Sequence, residues 1–278
     1  MRCDLIIPAL DEEANIDPLF DAIDTLGPDR VRHVVLADND SRDATATRAA
    51  ARGAIVVTET HRGYGAVCLR AMQRLARINP PPEVVVFLDA DLADDPSHLP
   101  DLVTPIERGD ADLVIGSRVR HAAPGALSLV QRFGNGLACR LIALATGKHP
   151  SDLGPFRAVR WTTLQRLAMA DRTWGWTVEM QMKAALLDIP VAEVDVPYRR
   201  RHAGRSKISG TVRGVVTAGS KIIATIGRLW WQRDLIRVAA AAHPDAAGTV
   251  APVAANPDAT TTLSPPPAPP PSRRNGPS

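Results

Sequence analysis

The chain has 278 residues, enough for one large domain or two small ones with a sizeable buried core. Hydrophobic residues make up 45% and charged residues 23%, values that exclude a collagen-like, coiled-coil or wholly disordered protein. Aromatic residues are only 4%, so we do not expect a stacking platform for single-stranded nucleic acid.

The net charge of +3 is unevenly distributed along the chain. Residues 196–233 contain nine Lys and Arg and no Asp or Glu, while the remainder has 24 basic and 30 acidic residues. A basic segment of this kind attracts phosphate, whether on a nucleotide, a lipid head group or a nucleic acid. The acidic remainder and the scarcity of aromatic residues argue against nucleic acid as the partner.

The three cysteines, Cys3, Cys68 and Cys139, are odd in number and have no metal-ligand spacing. They indicate a reduced, cytosolic protein with buried thiols. The apolar stretch 5–10 is too short for a signal peptide, and no run of about 18 apolar residues predicts a membrane span. We therefore expect a cytoplasmic protein, with peripheral binding to the inner face of the membrane as an extension of that expectation.

Short β-branched runs alternate with helical patterns in the first half of the chain. The predicted strands are 5–7, 34–37, 55–58, 84–88 and 113–115, and the predicted helices lie near 14–25, 43–52, 64–78 and 97–108. This alternation predicts an α/β fold with a mainly parallel sheet. Polar residues follow four of the strands directly, at the edge where such sheets bind ligands.

The second half predicts helices at 131–146 and 177–187, a strand at 191–196 and an amphipathic helix over 212–231. A loop at 151–154 leads into the segment 155–159. We expect one domain over residues 1–235, with a nucleotide-binding half (about 1–118) and an acceptor half (about 119–235). The remaining residues, 236–278, are rich in proline and alanine and are predicted to form a disordered tail.

The sharpest motif is the pair Asp89 and Asp91, followed by Asp94 and Asp95. A hydrophobic strand delivers both carboxylates to the ligand edge of the sheet, where a divalent cation would offset their repulsion. A solvated acidic loop is the alternative. An EF-hand loop would need an oxygen ligand at Ala93 and a glycine at Asp94, and a haloacid-dehalogenase phosphatase would need Thr or Val at Ala93.

Four other features are candidates for a functional role. The segment 38–43 opens a helix, and its acidic side chains either accept from a nucleoside or cap the helix. Gly63 and Gly65 either allow a ligand to approach the backbone or only form a turn. The basic segment 199–207 either grips phosphate or is a solvated loop. Glu179 is either a functional carboxylate with a raised pKa or a first-turn helix acid.

Together these motifs resemble the family 2 glycosyltransferases of the GT-A fold, and within them the dolichyl/polyprenyl-phosphate sugar synthase branch, over residues 4–226. The resemblance implies a Rossmann-like GT-A domain. Residues 7–12 resemble the family's Pro-x-x-Asn-Glu opening, and residues 38–43 its Asp-Asp-Gly-Ser-x-Asp motif. The implied nucleotide-binding residues are Pro8, Ala9, Leu10, Glu12, Asp38, Gly63, Asp89, Ala90 and Asp91.

The resemblance also implies a metal and an acceptor site. Asp91, with help from Asp89, would hold Mg²⁺ or Mn²⁺, and Ala93 stands where some relatives have a metal-binding Gln. Residues 116–118 resemble the acceptor-phosphate region, and residues 151–158 the Asp-x-x-x-Gly-Phe-Arg-Ala signature. Residues 201–207 match the Arg-x-x-Gly-x-Ser-Lys motif that closes over the phosphates. The implied acceptor-phosphate residues are Arg118, Arg132, Asn135 and Ser206.

The activity so implied is inverting transfer of a hexose from a nucleoside-diphosphate sugar, UDP-linked in preference to GDP-linked, to a polyprenyl phosphate. Arg201 and Lys207 would stabilise the departing charge. A hydroxyl acceptor would require a general base, for which Asp152 and Glu179 are the candidates.

Other functions remain open at this point. They are transfer to a soluble small molecule, a nucleotidyltransferase, and a non-catalytic nucleotide-sugar-binding protein. A nucleotidyltransferase usually carries a glycine-rich loop, which residues 8–15 lack. The helix at 212–231 either lies on an anionic membrane surface or packs on the domain. The sequence does not predict the oligomeric state.

Overall fold

The computed structural model describes residues 1–204 and 212–242, with side chains described for 1–204 and 219–242. Ser206 and Lys207, and the stretch 243–278 of the predicted tail, lie outside the described residues.

The described residues form an α/β domain around a seven-stranded sheet. The strands are β1 (Cys3–Ala9), β2 (Val31–Asp38), β3 (Ile55–Thr58), β4 (Val84–Phe87), β5 (Leu113–Ser117), β6 (Arg157–Arg160) and β7 (Val191–Asp195). The α-helices in this part are α1 (Glu13–Asp24), α2 (Thr45–Ala51), α3 (Tyr64–Leu75), α4 (Leu99–Arg108), α5 (Leu129–Thr146), α6 (Trp161–Arg166), α7 (Trp176–Leu186), α8 (Val212–Trp231) and α9 (Arg233–Ala242).

The strand order is β3-β2-β1-β4-β6-β5-β7, and β6 alone runs antiparallel to its neighbours β4 and β5. The mainly parallel sheet is therefore confirmed. The predicted strands and the longer helices lie within two or three residues of the predicted bounds. No helix in the described part of the chain is long and apolar enough to cross a bilayer.

Two helices were not expected from the sequence. The six-residue helix α6 follows β6 with no intervening loop and is too short to show a helical period. Helix α9 runs to Ala242, across the first seven residues of the segment predicted to be a tail. Its alanine-rich composition resembled the tail, although Leu235 and Val238 do recur at helical spacing.

Both faces of the sheet are covered by helices, as the continuous apolar strands indicate. Along β1, Leu5 and Ile7 pack into the core on one face and Ile6 into the core on the other. Full burial of one such side chain contributes about 1.5–3 kcal/mol. A third cluster, away from the sheet, joins α5, α7 and α8 through residues such as Ile142, Met182 and Ile226. The three cysteines are free and buried, as expected.

Gly63 and Gly65 receive the protein's own backbone instead of a ligand. The Gly65 amide donates to the carbonyl oxygen of Thr173 over 3.1 Å. A Cβ atom would lie 2.1 Å from the Arg172 carbonyl oxygen if placed on Gly63, and 1.9 Å from that of Asp171 if placed on Gly65. The packing of residues 171–173 by itself explains why both positions are glycine, so it favours the interpretation of the pair as a structural turn, and the contact of Gly63 with a nucleotide stays a prediction.

We expect Gly65→Ala to destabilise the protein by about 1–3 kcal/mol, because the new methyl group would force apart two packed backbones. Urea unfolding measures the change. Gly134→Ala is the matched control, since a Cβ there meets nothing within 4 Å and alanine favours the helix. Equal midpoints for Gly65→Ala and the wild-type protein would show that the 171–173 backbone can move away.

Candidate active site

An acidic loop follows β4 at the carboxyl edge of the sheet. The Oδ1 atom of Asp91 accepts from the backbone amide of Ala93 over 2.9 Å, and the Tyr64 hydroxyl donates to Oδ1 of Asp89 over 3.1 Å. Burial, together with the nearby charge of Asp91, raises the pKa of Asp89 to about 7. Two neighbouring buried carboxyl groups suppress each other's ionisation, and a nearby positive charge would favour the ionised form of both.

Arg201 connects this acidic loop to the end of β1. Its Nε atom lies 2.8 Å from Oδ2 of Asp91, and its Nη1 atom lies 3.2 Å from Oε1 of Glu12. The backbone follows the same path, because the amide of His202 donates to the Asp91 carbonyl and that of Arg199 donates to the Ala93 carbonyl. The start of the basic segment therefore lies across the acidic loop.

The end of β1 carries the predicted base- and ribose-binding residues. Pro8 and Ala9 are buried in the strand, and Leu10 follows it half-buried. The backbone amide of Glu12 donates to Oγ1 of Thr45 over 2.8 Å, and the Asn15 side chain donates to the Glu12 carboxylate. These contacts hold Glu12 in the position where Arg201 meets it.

Asp38 ends β2 with one oxygen engaged and one without a partner. Its Oδ2 atom accepts from the amide of Ser41 over 3.1 Å. Its Oδ1 atom is buried and has no hydrogen-bond partner among the described residues. An unpaired buried acceptor is costly, and a ligand hydroxyl or N–H would remove that cost.

Asp94 belongs to the acidic motif that begins with Asp89 and Asp91, but the sequence predicts no role for it. It is fully buried, and neither carboxylate oxygen has a hydrogen-bond partner in the described part of the chain. Burial raises the pKa of Asp94 well above its usual range; Arg118 opposes this, and Asp89 and Asp91 reinforce it. In the sequence Asp94 is notable only for its position five residues after Asp89. The fold shows that its side chain is buried beside Asp89 and Asp91.

The carboxylates fit a divalent cation in the manner of Mg²⁺ or Mn²⁺. Among the described residues, no three His, Cys, Asp or Glu side chains converge as a complete ligand set. Such ions commonly take one or two carboxylates and complete their shell with water and substrate phosphates. Asp89 and Asp91 supply that number, and Asp94 lies buried beside them with two carboxyl oxygens that have no hydrogen-bond partner among the described residues.

Arg118 and Asp152 are already bound to each other. Nε and Nη2 of Arg118 each lie 2.8 Å from a different oxygen of Asp152, and the Arg118 amide adds a third bond of 2.8 Å. Although burial opposes ionisation, these bonds from Arg118 keep the pKa of Asp152 below its usual value. Asp152 is therefore a poor proton acceptor in this structure, which argues against its prediction as a candidate base.

Glu179 has a similar supporting position. It is 1% exposed, accepts from the amides of Ala170 and Asp171, and lies 2.9 Å from Nζ of Lys183. Glu179 thereby holds the backbone of residues 170–171, and the adjoining residues 171–173 pack against Gly63 and Gly65. The first-turn helix acid is the interpretation that these contacts favour over a functional carboxylate.

Of the other predicted acceptor-phosphate residues, Asn135 supports a loop and Arg132 lies on the surface. Asn135 donates to the carbonyl of Ser151 over 3.2 Å and accepts from the amide of Leu153 over 2.9 Å, so it ties α5 to the 151–153 loop. Arg132 is exposed on α5. The structure thus brings Glu12, Asp89, Asp91 and Arg201 together, whereas Asp152 and Glu179 each support the fold through other partners.

The raised pKa of Asp89 predicts a pH-dependent stability in the metal-free protein. The folded protein keeps the Asp89 proton up to pH about 7, whereas the unfolded chain releases it near pH 4, so stability falls as the pH rises through this window. We expect Asp89→Asn to be about 1–3 kcal/mol more stable than wild type at about pH 8 and indistinguishable at about pH 4.

Urea unfolding in EDTA at the two pH values measures this difference. The matched control is Asp110→Asn, which alters an exposed carboxylate after α4 and should change stability at neither pH. If Asp89→Asn proved less stable than the wild-type protein at the higher pH, Asp89 would not be held in a strained, desolvated state.

The chain matches the model of glycosyl transferase family 2 over residues 4–155. It is 36% identical over 214 residues to an uncharacterized glycosyltransferase of Mycobacterium tuberculosis, covering 77% of this chain and 93% of that protein. It is 28% identical over 218 residues to the dolichyl-phosphate hexose transferase of Haloferax volcanii, covering 78% of this chain and 90% of that protein.

Solved structures show the same fold. The crystal structure of glucosyl-3-phosphoglycerate synthase from M. tuberculosis, in complex with Mn²⁺, UDP and phosphoglyceric acid, matches with a TM-score of 0.63. The sequence identity is 23%, and the match covers 82% of this chain and 78% of that one. With the acidic loop at the carboxyl edge of a GT-A sheet and a family match over more than half its length, the chain belongs to glycosyl transferase family 2 and is a glycosyltransferase.

Proposed function

We propose that the protein transfers a hexose, with inversion and with the help of a divalent metal, from a UDP-sugar in preference to a GDP-sugar to a polyprenyl phosphate. The observation that carries the choice of acceptor is the state of the two candidate bases. Asp152 is bound by Arg118, and Glu179 is bound by Lys183 and two backbone amides. An acceptor that is already ionised needs no base from the protein.

The donor side is supported by the unpaired oxygen of Asp38 and by Glu12, which lie at the ends of adjacent parallel strands. Asp38 would accept from the base or the ribose, and Glu12 from a ribose hydroxyl. Asp89 and Asp91 would hold Mg²⁺ or Mn²⁺, which when bound supplies positive charge beside the diphosphate. The relative crystallised with Mn²⁺ and UDP supports this choice of donor and ion.

Arg201 and Lys207 would stabilise the leaving diphosphate. Arg201 is a bidentate donor that now binds two carboxylates, and the diphosphate would offer it an anion of higher charge. Lys207 follows it by six residues in the matched motif and lies outside the described residues. In a closed site each contact of this kind is worth a few kcal/mol.

The transfer itself is a single displacement at the anomeric carbon. An oxygen of the acceptor phosphate forms the new bond from the face opposite the diphosphate. The bond from the anomeric carbon to the diphosphate breaks, and its electron pair leaves with the nucleoside diphosphate. Arg132 on α5 and Ser206 would bind the acceptor phosphate, whereas Arg118 and Asn135 would support the loop beside it.

A second acceptor class is supported by the comparisons. Glucosyl-3-phosphoglycerate synthase of M. tuberculosis is 31% identical to this chain over 126 residues, or 42% of the chain, and its crystal structures contain phosphoglyceric acid. A small phosphorylated acceptor would use the same basic groups to bind its phosphate. It would need no general base if a phosphate oxygen forms the new bond, whereas attack by its hydroxyl would require a base to take the proton. Its difference from the first proposal is the absence of a lipid.

An acceptor panel separates the two proposals. Purified protein with UDP-glucose, other UDP- and GDP-sugars and Mn²⁺ is given polyprenyl phosphate, 3-phosphoglycerate or unphosphorylated polyprenol, and nucleotide release and sugar product are measured. We expect product with polyprenyl phosphate and none with polyprenol, because only the phosphate is ionised. Product with 3-phosphoglycerate alone would overturn the lipid proposal, and product with polyprenol would require a protein base.

The carboxylate of Asp91 provides the second test. We expect Asp91→Asn to lower metal-dependent transfer by at least about 100-fold, because one of the two ligands loses its charge and Arg201 loses its ion-pair partner. Asp110→Asn should keep the wild-type rate. Unchanged transfer by Asp91→Asn, with or without EDTA, would remove Asp91 from the site.

A further inference from the structure

Helix α5 is apolar on two opposite faces. One face packs Ala138, Cys139 and Ile142 into the cluster with α7 and α8. The other face points away from the protein, where Phe133 is 72% and Leu144 is 84% exposed. Because a helix on the surface of a domain normally presents polar residues outwards, this second apolar face is unexplained by the packing of the domain.

The neighbouring helices α8 and α9 repeat the pattern. Near the end of α8, Ile223 and Trp231 are exposed, Trp231 by 82%. On α9, Leu235 and Val238 are exposed and lie three residues apart, on one side of the helix. Helix α8 contacts both α5 and α9, so the exposed apolar residues belong to helices that adjoin one another. We call the outward residues Leu129, Phe133, Leu137, Leu144, Trp231 and Leu235 the apolar surface.

The charges on these helices are predominantly positive. Helices α5, α8 and α9 together contain seven Lys and Arg and a single acidic residue, Asp234. Arg140 lies on α5, exposed, in line with Leu137 and Leu144 at spacings of three and four residues. Tryptophan side chains are typical of the boundary between head groups and lipid chains. The surface therefore combines apolar side chains with basic ones and complements an anionic bilayer.

We propose that the apolar surface docks on an anionic phospholipid bilayer, with the helices lying in the plane of the head groups. A second copy of the chain fits less well, because a two-fold interface through this surface would bring two sets of basic residues together with Asp234 as the one acidic residue that each copy has on these helices. This docking rests on the proposed function, because a polyprenyl phosphate acceptor would lie in the same bilayer. It is tested by binding alone, with no sugar transfer.

The test is vesicle flotation of the full chain without donor or acceptor. Vesicles are either pure phosphatidylcholine or equal parts of phosphatidylcholine and phosphatidylglycerol. We expect flotation with the mixed vesicles only. The double variant Phe133→Gln with Trp231→Gln should lose at least about tenfold in partitioning, since each buried methylene contributes about 0.8 kcal/mol. Both side chains are exposed, so the thermal midpoint of the double variant should equal that of the wild-type protein.

Two variants that each remove one positive charge test whether the apolar surface prefers anionic lipid. Arg140→Gln should weaken binding to the mixed vesicles by about fivefold, which is the effect of one basic group near an anionic surface. Arg77→Gln, an exposed arginine after α3 with the same change in charge, should bind as the wild type does. If the double variant folds poorly, the single change Leu144→Gln at an 84% exposed position replaces it.

Three results would overturn the docking proposal. They are equal flotation of wild type and double variant, equal flotation on both vesicle types, and a dimer in light scattering that the double variant abolishes. Flotation with no transfer to any acceptor would overturn the proposed function alone. Transfer to polyprenyl phosphate in detergent with no flotation would overturn the docking alone.

Discussion

The contact on which the site depends is the bridge from Arg201 to Asp91 and Glu12. Three elements far apart in sequence meet there: the turn after β1, the loop after β4 and the first residues of the basic segment. Each carboxylate is buried and would repel the other, and a guanidinium has the planar, multiple donors that can satisfy both. This one cation therefore assembles the edge of the sheet where the nucleotide sugar is proposed to bind.

The same edge of the sheet contains buried acidic groups that lower the stability of the folded protein. Burial raises the pKa of Asp89 to about 7, and within the described part of the chain two oxygens of Asp94 and one of Asp38 have no hydrogen-bond partner. A fold selected only for stability would replace such groups, since an unpaired buried acceptor costs about 1–3 kcal/mol. Their presence at the carboxyl ends of the strands is explained if a cation and a nucleotide diphosphate supply the missing partners.

The acceptor half is organised by ion pairs of a different kind. Arg118 with Asp152, and Glu179 with Lys183, are buried pairs in which both partners are satisfied. Removing one partner of such a pair would leave an uncompensated charge. These residues therefore position loops, and neither carboxylate is placed to act as a base for the proposed acceptor. This is why an ionised acceptor is favoured over a hydroxyl.

The sequence by itself determined the fold class, the placement of polar motifs directly after the strands, and the position of the Asp89–Asp91 pair after the fourth strand. These follow from local features: continuous apolar strands are buried on both faces, and the residue after a parallel strand lies at the ligand edge whatever the rest of the chain does. The resemblance of several motifs in order identified the family before any contact was known. The short helix α6 was missed because six residues show no period, and α9 because alanine resembles the tail.

What only the tertiary structure decided is which polar group meets which. Asp152 and Glu179 could be bases by residue type, but their partners Arg118 and Lys183 lie across loops or on the next helical turn and hold them in place. Gly63 and Gly65 could have faced a ligand, but they face the backbone of residues 171–173. Asp94 became notable only by its burial. Such pairings depend on the three-dimensional approach of distant segments, which no local pattern contains, whereas burial and periodicity are recorded residue by residue along the chain.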